Sequence, residues 1–208
     1  MIDFKAFDFF RPIDLPEDYH VFDLSNGPVE APEAVVYSVG KYNEQRPDMY
    51  TSEIYSSGRN IHMGLDIGAP VGTKIKNFYE GEVFSRKYHS DDLDYGYTLV
   101  LKYQLGDQAL FALFGHLSEK SYLENPIGKT IRKGEEFAYL GAKHENGGWP
   151  SHLHLQLSYK APKNCDMPGV VSSSAREEAL RLYPDPQNVF GKLYNNKGEK
   201  NENRHTNF

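Results

Sequence analysis

The chain has 208 residues, 39% of them hydrophobic, and a formal net charge of -6, which predicts one domain with extensions. The acidic charge argues against nucleic acid or an anionic membrane surface as a main partner, and no segment approaches the roughly 18 apolar residues of a membrane span. Cys165 is the only cysteine, so no disulfide forms within the chain and nothing requires an oxidising compartment.

The first fifty residues are interpreted as an N-terminal arm or extension, residues 1–50, because residues 1–33 are rich in Pro, Asp and aromatic side chains without clear periodicity. Asp3, Asp8, Arg11 and Asp14 interrupt every apolar run near the start, so no signal-peptide pattern is present. From this pattern we expect a cytoplasmic protein.

Short segments of alternating or continuous apolar character follow, separated by glycines and turn-forming residues. They read AVVYSVG, IHMGLDI, TKIKNF, GEVFSRK, GYTLVLKYQ, ALFALFGHL, EEFAYLGA and SHLHLQLSY. This spacing predicts a mainly β fold, an antiparallel sheet or sandwich.

One helix is predicted near the C-terminus, over SSSAREEALRLY at 172–183. Its serines suit the start of a helix, Arg181 suits its last turn, and Pro184 ends it. We place a C-terminal loop and helix at 163–193, and expect the polar tail 194–208 to be disordered.

The segment HLHLQL carries two histidines at strand spacing. Alternate residues of a strand point to the same face, so His152, His154 and Gln156 share one face while the leucines between them enter the core. The alternative is a pair of surface histidines on a half-exposed strand.

The segment HMGLDIGAP places His62 four residues before Asp66. Gly64, Gly68 and Pro70 make a helix unfavourable, and in a straight strand the two Cα atoms would stand roughly 13 Å apart. That separation is too large for one zinc ion, with ligand bonds of about 2 Å, so a shared site requires a bend, which Gly64 permits.

Together these segments supply a set of metal ligands. His62, Asp66 and an imidazole from a distant strand leave a fourth tetrahedral position for water, the composition of a catalytic zinc site. His116 follows directly after the apolar run ALFALFG. A single histidine in such a position is more often a core residue hydrogen-bonded to the backbone, but His116 accompanies the other candidate site residues.

The ordered set HxxxD, GHL and HLH resembles the lysostaphin-type zinc metallopeptidases, also called the β-lytic or peptidoglycan endopeptidase family. The match covers roughly residues 59–160 and includes APVGTKI, GEV, DYG and GKTIRKGEEFAYLG between the motifs. The segments GGWPSHLHLQL, DMPGVVSS and YPDPQNVFG further resemble an unexported branch, in which similar domains are joined to kinase-like and aminotransferase modules.

The resemblance implies a role for each matching residue and a catalytic domain at 51–162. His62, Asp66 and His154 would bind Zn²⁺, and His116 and His152 would act on the water and the transition state, with roles that could be exchanged.

The implied activity is hydrolysis of peptide (amide) bonds in a peptide or muropeptide. The alternatives are an amide hydrolase acting on a small cytosolic peptide or metabolite, and a non-catalytic binding or regulatory domain. Gln156 and Tyr103 depart from the common pattern, and Trp149 either lines the substrate groove or only packs beside it.

Overall fold

The computed structural model describes residues 2–30, 32, 34–51, 55 and 58–195. Within these residues the strands are β1 His20–Val21, β2 Ser38–Gly40, β3 Glu44–Gln45, β4 Ile61–His62, β5 Leu65–Gly68, β6 Lys74–Lys76, β7 Gly81–His89, β8 Gly96–Leu105, β9 Gln108–Leu117, β10 Thr130–Ile131, β11 Glu136–Tyr139, β12 His152–Ser158 and β13 Val170–Val171. The helices are α1 Glu119–Glu124, α2 Arg176–Leu182 and α3 Gln187–Phe190, with 3₁₀ turns at Phe4–Ala6 and Ser173–Ala175. None of the described helices is long and apolar enough to cross a bilayer.

The largest sheet has eight strands in the order β1-β2-β5-β12-β9-β8-β7-β10. All of its neighbouring pairs are antiparallel except β1 with β2. Two smaller antiparallel sheets accompany it, β6 with β11 and the three strands β13-β4-β3. The predicted mainly β fold with an antiparallel sheet is confirmed, and so is the helix near the C-terminus.

Residues 1–50, assigned above to an extension, contribute strands to two of these sheets. β1 and β2 lie at one edge of the eight-stranded sheet, and β3 pairs with β4 in the three-stranded sheet. Phe7 and Phe9 of the same segment pack against Tyr79. The segment therefore forms part of the framework around β4 and β5.

Alternation along β12 sorts its side chains to the two faces of the large sheet. Leu153, Leu155 and Leu157 are fully buried in the main hydrophobic core. His154 and Gln156 are also buried, but on the opposite face, where the Tyr95 ring lies 5.2 Å from the His154 ring. The predicted division of this strand is confirmed.

The chain passes from one sheet to another between His62 and Asp66. β4 belongs to the three-stranded sheet and β5 to the eight-stranded sheet, with Met63 and Gly64 between them. The predicted bend is therefore present, as a crossing between sheets.

Some local predictions are wrong or incomplete. In AVVYSVG only Ser38–Gly40 is a strand. The predicted serine cap is absent, because α2 begins after Ala175 and Ser172 bonds the Ser174 hydroxyl instead. The short helices α1 and α3 were not predicted, and most of the expected disordered tail, residues 196–208, lies outside the described residues.

Candidate metal centre and active site

Three side chains from three strands meet at one point. His62 Nε2, His154 Nδ1 and Asp66 Oδ1 lie 3.0–3.1 Å from one another. The pairing of β12 with β5 sets His154 directly opposite Asp66, and the crossing after β4 brings His62 to the same place. The structure thus brings together all three residues that the sequence predicts as metal ligands.

The hydrogen bonds on the far side of each ring fix which nitrogen carries the proton. His62 Nδ1 lies 2.9 Å from the Lys41 carbonyl, which can only accept, so this nitrogen donates. Gln156 donates its amide to the Pro168 carbonyl and accepts from His154 Nε2 at 3.2 Å. In the neutral rings the other nitrogens, those nearest Asp66, therefore carry lone pairs.

Burial and nearby charges disfavour protonation of His62 and Asp66. Burial, followed by the charge of Arg46, lowers the pKa of His62 to about 4, so the ring is neutral at pH 7. Burial opposes ionisation of Asp66, but in acid, where His62 is protonated, the charges of His62 and Arg46 and hydrogen bonds from the histidines outweigh burial and hold the pKa of Asp66 well below its usual range. With His62 neutral and Asp66 ionised, His62 Nε2 and Asp66 Oδ1 are two acceptors 3.1 Å apart, an arrangement that a cation between them stabilises.

The spacing also fits a tetrahedral ion. Two ligands that are each about 2.0–2.1 Å from zinc at a tetrahedral angle stand roughly 3.3 Å apart. The observed separations of 3.0–3.1 Å are close to this value. Two imidazole nitrogens and one carboxylate oxygen suit zinc and leave a fourth position open.

Gly64 is required by the ring of His154. A Cβ atom at residue 64 would lie 2.3 Å from His154 Cε1 and 2.5 Å from Nε2. The sequence correctly marks Gly64 as the place where the chain bends, but the structure adds a second reason for glycine, the close approach of a ligand.

His116 and His152 lie beside the three ligands. Their ring centroids are 4.2 Å apart, and His152 Nε2 is 3.8 Å from Asp66 Oδ1. Each ring donates from Nδ1 to a backbone carbonyl, His116 to Asn146 at 2.8 Å and His152 to Pro150 at 2.7 Å. Both Nε2 atoms are thereby left as acceptors in the neutral rings.

Burial lowers the pKa of His152 and, more strongly, that of His116, whose pKa is further lowered by its two neighbouring histidines. His116 also has a left-handed backbone, with φ of +63°, which is uncommon for a residue with a side chain. Backbone of this kind is concentrated at functional sites, where the surrounding structure holds it in place.

A cavity of about 750 Å³ opens over these residues. Trp149 lines it, with its ring 6.4 Å from His116 and 6.3 Å from His152. The Trp149 indole and the Tyr55 hydroxyl both donate to the Leu93 carbonyl, at 3.0 and 2.7 Å. Three separate segments of the chain are therefore joined at one wall of the cavity.

Sequence reasoning missed the buried side chains behind the ligands. Arg46 donates to Asp66 Oδ2 at 2.7 Å and to Glu44, yet both residues come from a polar, turn-rich stretch typical of an exposed loop. No local pattern distinguishes them from solvent-exposed charges, because only the pairing of β3 with β4 buries them. Tyr103, one of the two noted departures, is buried away from the ligands and bonds Asn77.

Several solved structures resemble this chain. They include a zinc containing peptidase from Vibrio cholerae (19% identity, TM-score 0.44, 71% of this chain and 35% of that one), the catalytic domain of a variant of the prophage-encoded M23 protein EnpA from Enterococcus faecalis (22%, 0.43, 70% and 93%), and the catalytic domain of lysostaphin from Staphylococcus simulans (17%, 0.46, 66% and 90%). The chain thus spans about a third of the Vibrio cholerae protein. A comparison with curated proteins finds no match.

The sequence itself fits one family model, described as Peptidase family M23, over residues 60–166. That span contains all five residues predicted for the site. Because the match extends over slightly more than half of the chain, the chain belongs to peptidase family M23 and is a metallopeptidase.

Proposed function

We propose that this chain is a zinc-dependent peptidase that hydrolyses amide bonds in short peptides of the peptidoglycan type. His62, Asp66 and His154 would hold the zinc ion. The observation that carries this assignment is the meeting of two imidazole nitrogens and one carboxylate oxygen within 3.1 Å of one another, a donor set and spacing that suit a zinc ion.

When bound, zinc supplies a Lewis acid that polarises a carbonyl and acidifies water. The chain's own contribution is proton transfer by His116 and His152. Both are neutral at pH 7 because burial lowers the pKa of each, and in both neutral rings Nε2 is the acceptor. We assign to this pair the removal of the proton from the attacking water.

The two rings are close enough to act together. With centroids 4.2 Å apart, either ring can take the proton, and a protonated Nε2 then donates to the developing oxyanion or to the leaving amine. Because each Nδ1 is held by a backbone carbonyl, the rings keep their orientation through the proton transfer.

The cavity supports a short peptide as the substrate. Its volume of about 750 Å³ lies within the range of small-ligand sites, roughly 300–1,000 Å³. Tyr55, Leu93 and Trp149 are joined by hydrogen bonds and bound the cavity on one side. We therefore favour a muropeptide or a comparable short peptide over the assembled cell wall.

Metal analysis tests the proposed centre. Protein purified without chelator should contain one zinc per chain, and the His154→Ala variant should contain far less. The His144→Ala variant is the matched control, because His144 is exposed and lies outside the cavity. Wild-type protein without metal, or undiminished metal in His154→Ala, would contradict the assignment.

Substrate choice is tested separately with the zinc-loaded enzyme. We expect release of new amines from soluble muropeptides or from a general peptide library, and much slower release from intact sacculi. Efficient clearing of sacculi at low enzyme concentration would refute the preference for short peptides while leaving the metal centre standing. A zinc-loaded protein that cleaves no peptide would instead favour a binding domain.

A further inference from the structure

The carboxylate of Asp66 uses its two oxygens in different ways. Oδ1 points to the two histidine nitrogens, at 3.0 and 3.1 Å, whereas Oδ2 accepts from Arg46 Nη1 at 2.7 Å. A charge-assisted bond of this length fixes the rotation of the carboxylate. Oδ1 alone is thereby left to face a metal ion.

Arg46 is itself held rigidly. Only 2% of its side chain is exposed, and the guanidinium also donates to Glu44 Oε2, the Tyr50 hydroxyl and the Lys41 carbonyl, each at 3.2 Å. A planar guanidinium bound at four points has one available orientation. Its contact with Asp66 is therefore part of a rigid hydrogen-bond network.

The same hydrogen-bond network includes a second candidate metal ligand, His62. The Lys41 carbonyl that accepts from Arg46 Nη2 also accepts from His62 Nδ1 at 2.9 Å. One backbone group thus links the orientation of His62 to that of Arg46, and through Arg46 to Asp66. Two of the three ligands share one outer support.

The charges along this hydrogen-bond network alternate in sign from Glu44 to Asp66. Glu44 is negative, Arg46 positive and Asp66 negative, followed by the cation that Asp66 faces. Glu44 is buried, accepts from the Leu24 amide at 3.1 Å, and pairs both with Arg46 at 3.2 Å and with the Lys41 ammonium at 3.5 Å. The Arg46 guanidinium is therefore paired with a carboxylate on each side, Glu44 and Asp66.

Backbone packing makes room for this arrangement. A Cβ atom at Gly40 would lie 2.8 Å from Arg46 Nη2 and 3.1 Å from Asp66 Oδ2. The supporting residues fall within 24–50, which precedes the part of the chain matched by the family model at 60–166. The N-terminal segment thus supports the metal centre from outside the matched region.

We propose that Arg46, held by Glu44, is a positioning residue that makes Asp66 bind the metal through Oδ1 alone. This inference rests on the proposed metal centre. Partners that orient metal ligands typically change metal affinity about 10–100-fold when they are removed. We expect a loss of that size when Arg46 is replaced, together with a change in how Asp66 binds.

The test uses the full chain and two variants. Arg46→Met alone would take from the buried Glu44 its nearer charged partner, so the first variant is the double substitution Glu44→Gln/Arg46→Met, which removes both charges together. The second is Arg46→Lys, which keeps the positive charge but lacks the planar fork. Arg86→Met is the control, because Arg86 bonds the Tyr122 carbonyl away from the site.

Zinc affinity is measured by competition with a chelator, and coordination by the visible spectrum of the cobalt(II)-substituted protein. We expect the double variant to bind zinc 10–100-fold more weakly, Arg46→Lys to lose several-fold, and both to show an altered cobalt spectrum. Arg86→Met should match the wild type in both measurements. A merely structural role for Arg46 would change thermal stability and leave the cobalt spectrum unaltered.

The two possible failures are distinguishable. If wild-type protein binds zinc, and either folded variant keeps both its affinity within twofold and its cobalt spectrum, the role of Arg46 is overturned and the proposed function stands. If wild-type protein binds no zinc, the proposed centre fails and this inference fails with it.

Discussion

Replacing Gly64 by alanine should damage the metal centre through one methyl group. The new Cβ would lie 2.3, 2.5 and 2.9 Å from three atoms of the His154 ring, and ordinary contact begins near 3.4 Å. The ring or the β4–β5 crossing must therefore move by about 1 Å, half of a zinc–nitrogen bond of roughly 2.0–2.1 Å. Such a displacement removes His154 as an effective ligand.

We expect at least a 100-fold loss of zinc affinity in Gly64→Ala, since loss of an outer partner alone costs about 10–100-fold. Chelator competition measures the affinity, and urea unfolding of the metal-free protein measures the packing cost, about 1–3 kcal/mol for overpacking. Gly81→Ala is the control, because its Cβ would crowd the buried Tyr103 ring at 2.7 Å. It should lose stability and keep its zinc.

Equal zinc affinity in Gly64→Ala and Gly81→Ala would refute this reasoning. So would full peptidase activity in Gly64→Ala. Either result would mean that the His154 ring does not occupy the position described here when the metal is bound.

Two further predictions concern histidines with different functions. His116→Ala and His152→Ala should fold and keep most of their zinc while peptide turnover falls about 10²–10⁴-fold, whereas the exposed His144→Ala stays near wild type; near-normal turnover in either site variant would remove that residue from the mechanism. Burial disfavours the charged form of His89, but its bonds to Asp94 and to a backbone carbonyl outweigh this and raise its pKa to about 9. Protonated His89 therefore adds about 3 kcal/mol at most to the free energy of unfolding. This contribution is complete below pH 6.5 and is lost as the pH rises through 9. The free energy of unfolding of wild type minus that of His89→Gln should shrink across this range, and a constant difference would contradict the assignment.

The strands of the active face were predictable because each needs only a local pattern. The alternation in HLHLQL fixes which side chains face the core, and the glycines around Asp66 exclude a helix. Pairing of β5 with β12 sets His154 opposite Asp66, and the crossing after β4 adds His62. The order of the motifs along the sequence carried the family resemblance, which then implied a role for each matching residue.

The outer support of the ligands was not predictable in the same way. Arg46 lies in a stretch of polar and turn-forming residues, and its burial results from pairing between strands of only two residues each, β3 and β4. Strands this short have no periodicity to detect. Helix α1 was missed for a related reason, since its six residues are fewer than two turns.

The three candidate ligands lie on two different sheets, so a bound metal would connect those sheets. His62 belongs to the three-stranded sheet, whose small apolar cluster of Ile61, Met63, Val171 and Ala179 is separate from the main core. Asp66 and His154 belong to the eight-stranded sheet. An ion bound to all three would cross-link the two sheets. We therefore expect the three-stranded sheet to exchange its amide hydrogens faster, and to be cut first by proteases, when zinc is removed.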